Sequence, residues 1–251
     1  MNKIDILNAK GLNIVGNLFS VNSDKIVILV HGFTNDKSSD GRYDRLAVAL
    51  NDNGYDALAI DFSGCGESED ADLTVQNQID DLNSTINYVI ENQYKKIGLF
   101  GNSLGTLICL HCHRNEIKTM VLTGALTDSM HYDWDEYFPA EKMKELANQG
   151  YFYLDTPRKH RITKQTLKDF EEINQHELLK DIDCPILIIH GNSIEDSEES
   201  MLLERSKKAA QIMKGIVKIN VVENGKHGLK EHWDEVIQDT CKWLEEQFID
   251  L

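Results

Sequence analysis

Gly101-Asn102-Ser103-Leu104-Gly105 sets a hydroxyl nucleophile between two glycines, after the apolar run Ile97–Phe100 and before the helix-compatible run Leu104–Leu110. A serine on so tight a strand-to-helix turn needs small neighbours, and the turn lifts its Oγ above the strand's C-terminal end. The N–H of Leu104 opens the helix, where unpaired amides and the dipole favour an anion. The five residues alone recur by chance; the strand–turn–helix context gives them chemical meaning. His31-Gly32-Phe33 follows another apolar run, Ile26–Val30. The Phe33 N–H is the expected second oxyanion donor, while His31 reads as a buried loop histidine holding backbone groups.

A serine hydroxyl needs a base. Among nine histidines, His227 is best placed, because Asn224-Gly225-Lys226-His227-Gly228-Leu229 follows the last expected strand and precedes the final helix. Flanking glycines free that loop to carry an imidazole over the serine. His232 reads as an exposed helical residue and His190, in His190-Gly191-Asn192, as a structural one. A carboxylate beyond Ile186–Ile189 would orient the imidazole and stabilise its protonated form. Asp196, the shorter side chain, is the first choice there, with Glu195 beside it and Asp128 as a third candidate. The acidic run Glu195-Asp196-Ser197-Glu198-Glu199 otherwise reads as a solvated face.

Short apolar runs must position these groups. Ile26–Val30, Ala57–Ile60, Ile97–Phe100, Met120–Leu122 and Ile186–Ile189 suit strands covered on both faces, and Val217–Val222 adds another. Two more polar runs, around 4–7 and 12–19, predict an antiparallel hairpin at the sheet edge. Val75, Ile79, Leu82, Ile86, Val89 and Ile90 fall at helical spacing behind Thr74 as N-cap. Leu46, Val48 and Leu50 mark a helix ended by Gly54, and Trp233 to Phe248 mark a C-terminal one. Alternating strands and helices predict a parallel sheet with helices on both faces.

The stretch 127–181 breaks this rhythm. It opens on His131-Tyr132-Asp133-Trp134-Asp135-Glu136-Tyr137-Phe138-Pro139, and continues with a helix-like segment, the aromatic cluster Tyr151-Phe152-Tyr153 and a second helix-like segment near 163–176. A short strand at Gly150–Leu154 is the only one expected in it. The reading is a cap inserted into one core formed by 1–126 and 182–251. Trp134, Tyr137 and Phe138 are its candidate substrate-binding residues, against the alternative that such aromatics fill the cap's own core.

With 251 residues and 41% hydrophobic, the chain can bury a sizeable core. Its formal net charge of −16 argues against nucleic acid or an anionic membrane surface as partner. Five scattered cysteines predict reduced thiols, and no signal peptide or membrane span is read, so a cytoplasmic location is expected. Cys109-Leu110-His111-Cys112-His113 invites a zinc reading, but one helical face toward the sheet favours buried thiols. No metal and no cofactor is expected, since neither a Walker nor a dinucleotide glycine pattern stands in context. Oligomeric state is left open, a homodimer being one outcome.

Together these residues resemble the α/β-hydrolase family along nearly the whole chain. The match runs through His31-Gly32-Phe33, Asp61-Phe62-Ser63-Gly64-Cys65-Gly66-Glu67-Ser68, the Ser103 turn, Ile189-His190-Gly191 and Gly225-Lys226-His227-Gly228. The order serine, acid, histidine is the family's. The pattern is similar to small intracellular esterases, including cinnamoyl and feruloyl esterases, and to monoacylglycerol lipases. The resemblance implies a mostly parallel eight-stranded sheet, Ser103 as nucleophile, His227 as base, and the Phe33 and Leu104 amides as oxyanion donors. It also implies that the Asp61–Ser68 loop supports the site. Two departures stand out. The position that follows His-Gly after two intervening residues, where the family usually carries its acid, is here Ile194, so an insertion of two residues would pass the role to Asp196. Asn102 stands where many relatives carry histidine.

The expected activity is a serine carboxylesterase that cleaves esters of small to medium acyl or aromatic acids through an acyl-enzyme. Monoacylglycerol lipase, thioesterase or acyltransferase activity would use the same machinery. A non-catalytic hydrolase-like binding protein is the alternative outside enzymes.

Overall fold

The computed structural model describes residues 1–155 and 158–248. Eight strands form one sheet: β1 (Asn2–Leu7), β2 (Asn13–Phe19), β3 (Lys25–Val30), β4 (Asp56–Ile60), β5 (Lys96–Asn102), β6 (Ile117–Thr123), β9 (Ile186–Gly191) and β10 (Val217–Val222). Their spatial order is β1-β2-β4-β3-β5-β6-β9-β10. β1 and β2 pair antiparallel, as do β2 and β4; every other pairing is parallel. This is the mostly parallel eight-stranded architecture expected from the apolar runs and the edge hairpin.

Alternation along the strands explains why both faces are covered. On β3, Ile26, Ile28 and Val30 join the core beneath α2 (Val75–Glu91) and α3 (Leu104–His111). Val27 and Leu29 point the other way, into the core beneath α1 (Arg42–Asp52) and α9 (Trp233–Gln247). Helix α2 starts where the sequence predicts: Thr74 Oγ1 accepts from the Asn77 N–H at 3.2 Å. On α1, Leu46 and Leu50 are buried, but Val48 is 53% exposed because it lies on the opposite side of the helix. Cys65, Cys109, Cys112 and Cys184 are buried.

Between β6 and β9 the chain forms α4 (Trp134–Tyr137), α5 (Ala140–Gln149), β7 (Tyr151–Asp155), β8 (Lys159–Thr163), α6 (Lys164–Glu171) and α7 (Gln175–Leu179). The sequence reading expects one short strand here; the structure has two, paired antiparallel. β8 escapes notice because its exposed positions are charged, while His160 and Ile162 alternate inward. Thr163, at the junction, caps α6 by accepting from the Thr166 N–H at 3.2 Å. Helix α8 (Ser197–Ala209) follows β9.

Candidate active site

The C-terminal ends of β3, β5, β6, β9 and β10 converge on one cleft. Ser103 links β5 to α3 with φ 52° and ψ −124°, a left-handed conformation that a non-glycine residue adopts only under constraint. The constraint is close packing. A methyl group on Gly105 would stand 2.5 Å from the carbonyl oxygens of Val30 and His31, so only glycine lets α3 lie against the end of β3. The Ser103 N–H is held by the Thr123 carbonyl at 2.9 Å.

His227 reaches this serine from the loop after β10. Its Nε2 lies 2.9 Å from Ser103 Oγ. Its Nδ1 lies 2.7 Å from Glu199 Oε2, in the first turn of α8. A carboxylate only accepts, so Nδ1 carries the proton and Nε2 offers its lone pair to the serine hydroxyl. Burial disfavours the imidazolium, but the Glu199 hydrogen bond and charge, with Glu198 and Asp196 nearby, outweigh it and raise His227 above its usual value. Burial alone would raise Glu199, yet hydrogen bonds from His190 and His227 lower it to about 2.

The carboxylate on the imidazole is therefore Glu199, not the expected Asp196. Asp196 caps α8: its Oδ1 accepts from the Glu199 N–H at 2.9 Å and its Oδ2 from the His227 backbone N–H at 2.8 Å. It shapes the turn that delivers Glu199 and fastens the backbone of the histidine loop, while its carboxylate does not face the ring. Glu195 pairs with Lys226 at the surface at 2.7 Å, and Asp128 accepts from the Ser129 N–H at 2.8 Å. The reading of 195–199 as a solvated face fails at Glu199, which is fully buried.

Phe33 lines the cleft beside Ser103. Among the described residues, neither the Phe33 nor the Leu104 N–H is taken by another protein group, which leaves both amides available. The loop carrying Phe33 is braced from two sides. His31 Nε2 accepts from the Phe62 N–H at 3.2 Å while Nδ1–H donates to the Gly32 carbonyl at 2.8 Å. Lys37 Nζ reaches Asp61 at 2.6 Å and Glu67 at 2.7 Å. Asp61 also accepts from the Lys37 and Glu67 amides, so the 61–68 loop and the loop carrying Phe33 are tied through one buried carboxylate.

The cleft, about 280 Å³, is lined by Phe33, Leu126, Tyr132, Trp134, Tyr137 and Phe170 on its apolar side. Arg42, Asn102, Glu198 and Lys230 add polar groups. Of the three cap aromatics singled out in the sequence, Trp134 and Tyr137 line the cleft. Phe138 does not: it is 5% exposed and packs between Trp134 and Phe152, inside the inserted segment. Tyr132 and Phe170 carry no such signal in the sequence, because what sets them at the cleft is their long-range packing on one another and on Trp134.

Gly124, just past β6, lies directly beneath the histidine–glutamate pair. It has φ 56°, and a methyl group there would stand 2.9 Å from His227 Cε1 and 3.0 Å from its Nδ1. Gly124→Ala is expected to displace the imidazole and lower kcat about 10²-fold, the scale of an ångström-level misplacement. Unchanged kcat in a folded variant, checked by circular dichroism, would contradict this placement.

The sheet order, the strained serine turn and the loops gathered above it define an α/β-hydrolase fold. The chain belongs to the Hydrolase_4 family, described as serine aminopeptidase, S33, whose profile matches residues 21–177. Solved structures of the same fold include Est1E from Butyrivibrio proteoclasticus with ferulic acid bound, 19% identical over 96% of this chain and 98% of its own, TM-score 0.73. The Pyrococcus furiosus esterase Pf2001 is 19% identical over 99% of this chain and 91% of its own, TM-score 0.73. The esterase EaEST from Exiguobacterium antarcticum is 15% identical over 97% and 100%, TM-score 0.75. Comparison with curated protein sequences gives no significant match. Among the described residues, no helix is long and apolar enough to cross a membrane.

Proposed function

We propose that this chain is a serine carboxylesterase acting on esters of small or aromatic acids, with Ser103, His227 and Glu199 as its triad. The observation that carries the reading is the unbroken hydrogen-bonded line from Ser103 Oγ through His227 to Glu199, at 2.9 and 2.7 Å, opening into an aromatic cleft. Ser103 Oγ attacks the ester carbonyl as His227 Nε2 takes its proton, and Glu199 stabilises the imidazolium that forms. The Phe33 and Leu104 amides receive the oxyanion. His227 then protonates the leaving alcohol, and in the second half-reaction it activates the water that releases the acid.

The inserted segment 127–181 acts as a cap. Its Tyr132, Trp134, Tyr137 and Phe170 roof the cleft, and the Tyr132 hydroxyl donates to Glu198 Oε1 at 2.7 Å across one end of it. A cleft of this size suits a short acyl group or one aromatic ring rather than a long chain. The ferulic acid bound by the structurally similar Est1E supports the aromatic option.

A panel of p-nitrophenyl esters from acetate to palmitate, with methyl hydroxycinnamates, tests the reading. The expected result is turnover of short and aromatic esters with kcat/KM falling beyond medium chain length. No turnover of any ester would overturn it, and preference for palmitate would overturn the acyl assignment. One observation favours a second reading: the Glu198 carboxylate in the cleft suits a substrate ammonium group, and the family description names an aminopeptidase. Hydrolysis of aminoacyl p-nitroanilides in preference to the esters would select it.

A further inference from the structure

Glu199 serves two imidazoles. His190, the penultimate residue of β9, places Nδ1 2.8 Å from Glu199 Oε1, and the Gly191 N–H donates to the same oxygen at 2.9 Å. Oε2 is left for His227. On the far side of the ring, His190 Nε2 lies 2.8 Å from Ser206 Oγ, two turns further along α8. The side chains of His190 and Glu199 are fully buried, and Ser206 is buried too.

We propose that His190 is a positioning residue for hydrolysis, fixing the Glu199 carboxylate so that one oxygen faces His227. The proposal rests on the triad reading above. Because a carboxylate can only accept, His190 Nδ1 must carry a proton. In the neutral ring Nε2 is then an acceptor, and the buried Ser206 hydroxyl is its donor.

The need for such a clamp follows from where the acid stands. Glu199 has one methylene more than aspartate and projects from a helix, so its carboxylate must be oriented by partners. The Gly191 amide supplies one anchor and the His190 ring the second. With both on Oε1, rotation of the carboxylate away from His227 would break two buried hydrogen bonds.

The test compares His190→Asn, whose amide can donate from near the Nδ1 position, with His190→Gln and His190→Leu. The expected result is that His190→Leu and His190→Gln lose about 10²-fold in kcat with KM little changed, while His190→Asn retains activity within about tenfold. In a double-mutant cycle the His190→Leu penalty should largely vanish in a Glu199→Gln background, because the ring acts through that carboxylate. Equal loss in all three folded variants, or a penalty that adds fully to that of Glu199→Gln, would overturn the proposal and leave His190 a packing residue. If His190→Leu does not fold, the contrast between the Asn and Gln variants decides. Fluorophosphonate labelling of Ser103 in the unaltered chain separates the two levels. A labelled, active chain with undiminished His190→Leu refutes this inference alone, whereas an inert chain refutes the triad reading and this inference with it.

Discussion

Ser103→Ala is expected to abolish ester turnover, with kcat falling about 10⁴- to 10⁶-fold, and to end covalent labelling by a fluorophosphonate. The change removes only the attacking oxygen. Alanine takes less space than serine, and the strained backbone at φ 52° is held by Gly105 packing and the Thr123 carbonyl, neither of which needs the hydroxyl. Residual turnover then measures what the two oxyanion amides and substrate binding achieve alone. Retained labelling would place the nucleophile on another residue and refute the proposed mechanism.

Glu199→Gln carries the second large effect. All the groups facing this carboxylate are donors: His190 Nδ1–H, the Gly191 N–H and His227 Nδ1–H. An amide presents N–H to at least one of them, turning the His227 tautomer away from the serine or breaking the His190 clamp. The expected fall in kcat is about 10³- to 10⁴-fold, the scale of losing a triad acid. Asp196→Asn should cost about tenfold or less, since asparagine caps helices as well as aspartate and only the bond to the His227 backbone amide is disturbed. The reverse order of effects would return the acid to Asp196. The pH profile gives an independent reading. A general base works when neutral, and Glu199 favours the charged imidazole, so activity of the unaltered chain should rise through a midpoint above the usual imidazole value of about 6.5. Removing the negative charge makes the imidazolium less stable, so the residual activity of Glu199→Gln should rise through a lower midpoint. A midpoint that stays in place would mean that Glu199 does not act on His227.

The strands, the serine turn and the histidine loop were legible because each is written locally. β3 and β5 are continuous apolar runs, and the glycines around Ser103 and His227 stand next to the residues they serve. The Glu199 carboxylate on His227 was not legible. Its position depends on how Asp196 bends the chain into α8, and Glu199 then arrives in the first turn of a helix, within an acidic run that looks solvated. Sequence shows charge there but not that His190, His227 and Gly191 close over one member. Phe138 illustrates the same limit in the cap, where adjacent aromatics divide between cleft and interior. β8, one strand of a two-stranded hairpin with charged outer positions at Lys159 and Arg161, carries little apolar signal.

The Ser103 hydroxyl and the His227 imidazole stand 124 positions apart in the sequence, joined at 2.9 Å. Bringing them together demands that the polypeptide close a very large loop, including the whole segment laid over the cleft and the final two strands. Non-local closure of this kind is slow compared with forming any single helix or hairpin. Catalytic competence is consequently a late event in the life of a newly made molecule. Recovered turnover during refolding reports that the two halves of the chain have met, a milestone that regained helicity alone does not mark.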